Sequence, residues 1–261
     1  MRGKVVIVGA GPGDPTLITV KALETIKAAD VIVYDRLIPT ELLSHAKPGA
    51  IKIYVGKEPQ RHEMSQEEIN ELLMRLARED KLVVRLKGGD PYTFGRGEEE
   101  CEFLLSNNVE CEVVPGIPSF VGASAYAGIP LAGRSFASSF AVITGHLAEG
   151  KDMKEYLGRV RSLAQAADML VILMGVKNLD LILSEIAKVR GWDEPAAAVM
   201  WATTERQLTV AGTMSSLLDA WRRGVIINPA VIYVGRGVNK RVKLWRRGAE
   251  YSTWGQSSQQ R

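Results

Sequence analysis

Apolar residues fall into two rhythms along this chain. The short β-branched runs KVVIVGA, DVIVYD, AIKIYV, KLVVRLKG and CEVVPG punctuate its first half. Each has the length and near-continuous apolar character of a strand buried on both faces. Between two of them the spacing turns helical: SQEEINELLMRLARED places Ile69, Leu72, Leu73 and Leu76 on one stripe, with Ser65 and Glu68 set for a capping box. A stretch of small residues, PGIPSFVGASAYAGIPL, precedes a second series, SSFAVITGH, DMLVILMG, AAAVMWAT and PAVIYVGRGV. The helical patterns LDLILSEIAKVRG and TMSSLLDAWRRG lie between these strands, each closed by a glycine. Strands alternating with helices predict an α/β protein of two domains: an N-terminal α/β domain over 1–116 with a parallel sheet, a C-terminal α/β domain over 117–245 with a mixed sheet, and a polar tail over 246–261.

One local arrangement occurs twice. Strand, glycine-rich turn, Asp-Pro and helix follow one another at VIVGAGPGDP and at VVRLKGGDPYTFGRGEEE, where Asp14 or Asp90 can cap or form the turn and Pro15 or Pro91 is preorganised next to it. A tight βα turn accounts for either loop alone. Two in one parallel sheet both emerge at the carboxyl ends of strands, where open α/β sheets bind ligands. The first loop is a poor dinucleotide clamp: Asp14 stands where a third fingerprint glycine would fall, and Pro12 and Pro15 each remove a backbone donor. Its glycines still permit close approach, which suits a compact ligand with little or no negative charge, such as a sulfonium nucleoside.

Composition changes this picture little. With 261 residues, 46% of them hydrophobic, the chain can build a real core, and its net charge of +3 is too small to imply nucleic acid or membrane. No apolar run reaches membrane-spanning or signal-sequence length, so the expected address is cytoplasmic. Cys101 and Cys111 share no metal-ligand spacing with His45, His62 or His146; no metal site is expected, and both cysteines read as buried or half-buried free thiols.

Several separated motifs, VGAGPGDP, VIVYDRL, YVGK, VVRLKGGDPYTFGRGEEE, VVPGIPS, AYAGIPL, TGH and MG, together resemble the tetrapyrrole methylases, from about Lys4 to Gly237. The resemblance implies two α/β domains with an active-site cleft between them, a homodimer, and S-adenosyl-L-methionine (SAM) as methyl donor with S-adenosyl-L-homocysteine as product. It further implies C-methylation of uroporphyrinogen III at C2 and C7, through precorrin-1 to precorrin-2, toward siroheme or cobalamin. By position it assigns Pro12, Gly88, Gly89, Asp90, Thr93, Pro118, Ser119, Met174 and Ala202 to the cofactor, with Asp35 as proton acceptor and Lys57 as proton donor. The chain departs from its relatives at Thr93, Pro118, Ser119 and Ala202, and at Gly133 and Ser135, which replace the His and Asp of their His-Arg-Asp and leave only Arg134.

A polycarboxylate macrocycle needs cations around it. Arg36, Lys57, Arg61, Arg96 and Arg134 all fall in predicted loops or just past strand ends, although a solvated surface charge explains any one of them singly. Arg96 is a candidate for catalysis as well as for substrate binding. A reduced pyrrole is electron-rich and needs no strong base to attack a sulfonium methyl, so a base serves only to take up the released proton. Asp35, Glu99 or His146 could do this, and Glu99 and His146 also stand as substrate contacts. By composition alone Met174 reads as core. The rival functions are another corrin-pathway methyltransferase, a NAD-dependent oxidoreductase with Asp35 as its single candidate ribose reader, and a catalytically silent SAM-binding protein.

Overall fold

In the computed structural model, residues 3–56, 64–147, 150–242 and 249–252 are described. The chain divides into two compact units, Met1–Ser119 and Phe120–Arg261. All five strands expected in the first unit form: β1 (Lys4–Gly9), β2 (Val31–Tyr34), β3 (Ile51–Tyr54), β4 (Leu82–Lys87) and β5 (Glu110–Val114). They pair in the order β3-β2-β4-β1-β5, every neighbouring pair parallel. In β1, β2 and β4 the apolar runs are explained by burial on both faces, while the edge strands β3 and β5 are only partly covered. Val5 and Ile7 of β1 pack on one side with α2 (Gln66–Ala77) and α3 (Gly97–Ser106), while Val6 and Val8 pack on the other with α1 (Val20–Ala28).

The stripe on α2 lies against this sheet: Ile69, Leu72, Leu73 and Leu76 are all buried. Both halves of its capping box are made, Glu68 N donating to Ser65 Oγ at 3.2 Å and Ser65 N donating to Glu68 Oε2 at 2.7 Å. The cysteines depart from expectation. Cys101 and Cys111 form a disulfide, their Cα atoms 5.5 Å apart, because α3 runs directly into β5 and the antiparallel return lays one over the other.

The second unit begins within α4 (Ser119–Ala127) and holds β6 (Phe140–Thr144), α5 (Met153–Ala166), β7 (Met169–Leu173), α6 (Leu179–Arg190), β8 (Pro195–Met200), β9 (Leu208–Thr213), α7 (Met214–Arg222), β10 (Ala230–Val234) and β11 (Ala249–Ser252). The sheet runs β11-β9-β8-β10-β7-β6 and is mixed: β10 is antiparallel to both β7 and β8, whereas β6 and β7 are parallel. β6, β7 and β8 therefore end at the same edge. Tyr233, fully buried on β10, donates its hydroxyl to Phe120 O at 2.6 Å, and burial raises its pKa. The closing glycines Gly191 and Gly224 follow α6 and α7 at φ 78° and 74°.

β9 was not among the expected strands; it pairs antiparallel with β8 across the turn 201–207. β11, inside the stretch expected as a polar tail, pairs parallel with β9, and residues 253–261 lie outside the described ones. Among the described residues no helix is long and apolar enough to cross a membrane. Ser65→Ala removes one half of the α2 box and is expected to lower the unfolding free energy by about 1 kcal/mol, read as an earlier urea midpoint at unchanged m value.

Candidate active site

At the carboxyl edge of the first sheet, three strand ends meet through bare backbone. Ala10 N donates to Lys87 O at 2.8 Å, and Gly11 and Gly89 exchange hydrogen bonds, Gly89 N to Gly11 O at 2.7 Å and Gly11 N to Gly89 O at 3.2 Å. A Cβ on Gly9 would lie 2.5 Å from Gly116 N and 2.7 Å from Gly89 O, and one on Gly116 would overlap the Gly89 carbonyl. Only glycine fits at either place. Gly89 itself sits at φ +68°, and its Cβ position meets nothing nearer than Ser119 N at 3.6 Å, so this spot is open beside a crowded junction.

Asp90 locks the arrangement from the side. Its Oδ1 accepts from Tyr92 N and Thr93 Oγ1, both at 3.0 Å, and its Oδ2 accepts from Gly116 N at 3.1 Å. The carboxylate thus ties the loop after β4 to the exit of β5, next to Pro118 and Ser119. Asp14 forms the first turn as the sequence suggests, accepting from Thr16 N at 2.8 Å as cap of the 3₁₀ turn Pro15–Leu17. Pro12, half-buried, lies in the same loop. Pro12, Gly88, Gly89, Asp90, Thr93, Pro118 and Ser119 therefore share one edge of one sheet.

Asp35 and Arg36 follow β2 at that edge. Asp35 Oδ1 accepts from Leu37 N at 3.0 Å, and Oδ2 lies 3.6 Å from Arg85 Nη2. Arg36 is exposed, and a Cβ on Gly56, after β3, would come 3.0 Å from its backbone nitrogen. Lys57 and Arg61 lie outside the described residues. Arg96 and Glu99, at the start of α3, engage each other: Nε donates to Oε1 at 3.0 Å and Nη2 to Oε2 at 2.6 Å. That pairing holds the Glu99 carboxyl below its usual range and raises the Arg96 pKa. Phe94 and Arg96 both adopt left-handed backbone, at φ 56° and 60°. Such conformations in bulky residues collect where a loop is shaped for a purpose.

The second unit carries its own set. Met174, Ala202 and His146 follow β7, β8 and β6 at a common edge. Met174 is not core, as composition suggests, but 46% exposed at φ +53°, because the left-handed turn lifts its side chain off the sheet. Ala202 is buried between Trp201 and Thr203, both also left-handed. Thr203 N donates to the buried side chain of Gln207, and the Arg206 guanidinium lies 3.8 Å from the Trp201 ring centre. His146 N donates to Thr144 Oγ1 at 3.2 Å, leaving an exposed imidazole. Arg134 is exposed in the turn between Gly133 and Ala137.

Sequence reasoning missed a buried ionic cluster. Arg85 and Lys87 of β4 both donate to Glu100 Oε1 of α3, at 3.2 and 2.7 Å, and Gln66 Nε2 donates to the same oxygen at 3.1 Å. Burial, and then the Arg85 charge, lower the Lys87 pKa. The available signal was two cations at alternate positions of a strand whose other residues are apolar.

These features belong to one class of protein. A model of the tetrapyrrole (corrin/porphyrin) methylases matches residues 4–218, and the chain belongs to that family. It is 47% identical to uroporphyrinogen-III C-methyltransferase of Bacillus subtilis (strain 168), covering 93% of both chains. It is 48% identical to the enzyme of that name from Methanocaldococcus jannaschii, over 92% of this chain and 98% of that one. Among solved structures it is similar to uroporphyrin-III C-methyl transferase of Thermus thermophilus complexed with S-adenyl homocysteine, with a TM-score of 0.75 and 40% identity over 91% of this chain and 99% of the other. The fold is that of the tetrapyrrole methylases, and SAM is the methyl donor. The open ground at Gly89 fits a nucleoside, and the donor-poor Pro12 loop fits one without phosphates.

Gly116→Ala is expected to cost about 1–3 kcal/mol of stability, as overpacking does, and to weaken SAM binding by calorimetry. Because its folded-state pKa is lowered, Glu99 contributes stability at neutral pH that is lost as pH falls through that value. At about half exposure the contribution is small. Carboxyl NMR titration should find Glu99 below the ordinary glutamate range, and Arg96→Met should return it upward.

Proposed function

We infer that this chain methylates uroporphyrinogen III, giving precorrin-2 through precorrin-1 for siroheme or cobalamin. The observation that carries the reading is the glycine junction of β1, β4 and β5. It leaves open backbone ground at Gly89 while Pro12 and Pro15 deny the neighbouring loop the donors that a pyrophosphate requires. SAM, when bound, supplies an electrophilic methyl group and leaves as S-adenosyl-L-homocysteine.

The chain's own residues do the rest. Gly88, Gly89, Pro118 and Ser119 offer backbone, and Asp90 keeps their loops in register through its bonds to Thr93 and Gly116. Met174 and Ala202, at the strand-end edge of the second sheet, are the cofactor contacts that the family resemblance assigns there. Arg36, Arg96 and Arg134 meet substrate carboxylates, with Glu99 and His146 as polar contacts. Arg96 releases part of its bond to Glu99 as a substrate carboxylate arrives, an exchange between partners of like charge. The pyrrole carbon is nucleophilic already, so holding it in line supplies much of the acceleration. Each methyl added releases one net proton as the pyrrole system rearranges; Asp35 is its acceptor, and Lys57 is the donor where the rearrangement also moves a proton. The working protein is a cytoplasmic homodimer in this reading.

A second reading rests on likeness to a cobalt precorrin-4 methyltransferase structure, with a TM-score of 0.79 and 29% identity over 90% of this chain. It assigns a later corrin intermediate as substrate. One assay separates the two: enzyme, SAM and anaerobically prepared uroporphyrinogen III should yield products heavier by one and then two methyl groups in mass spectrometry. No methylated product from uroporphyrinogen III, with methylation of a later corrin intermediate, would establish the second reading.

A further inference from the structure

Packing alone does not call for charge on the central strand of the first sheet. β4 lies between β2 and β1, and Val83, Arg85 and Lys87 alternate on the face covered by α2 and α3, among the apolar Val5, Ile7, Val31, Val33 and Leu104. An apolar pair of similar volume would be at least as stable there as a buried ionic cluster. Nevertheless Arg85 and Lys87 are buried, and the fully buried Glu100 meets both on a single oxygen. Its other oxygen, Oε2, has no hydrogen-bond partner among the described residues. One buried carboxylate set against two cations leaves positive charge over, and that charge points out of the core in one direction.

The direction is toward Asp35. The Arg85 guanidinium is fixed on Nε by Glu100 and on Nη1 by Leu86 O at 3.2 Å, which leaves Nη2 facing Asp35 Oδ2 at 3.6 Å. Asp35, with its side chain 28% exposed, is the member of the set that reaches the carboxyl edge of the sheet. Its Oδ1 is already held by Leu37 N. The carboxylate is held on Oδ1 by its own turn, and Oδ2 faces at ion-pair distance a buried cation that is itself fixed.

We propose that Arg85 is the positioning residue for the Asp35 carboxylate, and that Glu100, pinned by Lys87, sets the guanidinium in place. This rests on the reading of Asp35 as proton acceptor. Arg85 touches no substrate; it acts by limiting the orientations from which Asp35 can take a proton.

A double-mutant cycle in the full-length enzyme tests this, with wild type, Asp35→Asn, Arg85→Met and the double variant assayed for methyl transfer to uroporphyrinogen III. Arg85→Met is expected to lower kcat about tenfold, the scale of losing a partly buried ion-pair partner, with the KM for SAM unchanged. The double variant should be no slower than Asp35→Asn alone, because a residue acting through Asp35 has nothing left to act on. Arg85→Lys, which keeps the charge, should recover part of kcat. Where Arg85→Met melts too early to assay, Glu100→Gln enters the same cycle, since it keeps the side-chain shape and removes the charge that orients the guanidinium. Losses that multiply, or full kcat in the position-85 variant, would overturn the positioning role while leaving Asp35 as the acceptor. Full kcat in Asp35→Asn would remove the acceptor reading, and the positioning role with it.

Discussion

No side chain fits where the ends of β1, β4 and β5 come together, and the rest of the first unit is arranged around that exclusion. Gly9 and Gly116 are excluded from carrying a Cβ by neighbouring backbone, so three loops that would otherwise diverge are held at hydrogen-bonding distance. The consequence for ligands is direct. A ligand approaching this edge meets peptide groups and the carbonyls of β4, with Asp90 turned inward to hold the loops rather than outward to repel. Methyl transfer by positioning needs such a surface, because its rate depends on how few orientations the bound partners retain.

The framework was legible because its central strands β1, β2 and β4 are buried on both faces. Runs such as VVIVG leave no alternation to confuse with a surface strand, and the α2 stripe matches a helix with both caps in place. β9 was harder to read: LTVAGT mixes polar and small residues, and its membership of the sheet depends on pairing with β8 rather than on its own pattern. The disulfide was invisible for a related reason. Spacing alone does not say that a helix residue and a strand residue ten positions apart will face one another, and α3 with its return into β5 makes them do so.

The site was legible in its loops and illegible in its supports. Asp35, Asp90 and Arg96 stand in motifs that punctuate strand ends, where ligand chemistry is expected, and they lie at the carboxyl edge. Met174 was misread by composition because an apolar side chain at a strand end normally points inward; its left-handed backbone reverses that. Arg85, Lys87 and Glu100 were passed over since each looks ordinary in its own segment. Their meaning is in the convergence of a strand and a helix on one buried oxygen atom.

That convergence also restricts how the sequence can drift. Losing Glu100 alone strands two buried cations, and losing either cation alone leaves a carboxylate to share with one fewer partner, so single changes at these positions pass through a state worse than both ends. Descendants of this chain can exchange the cluster for an apolar one only by several substitutions together. Such a route is open on packing grounds but would leave Asp35 without its inner neighbour. Descent should therefore carry Arg85, Lys87 and Glu100 forward as an inherited block, while the exposed charges around them turn over freely.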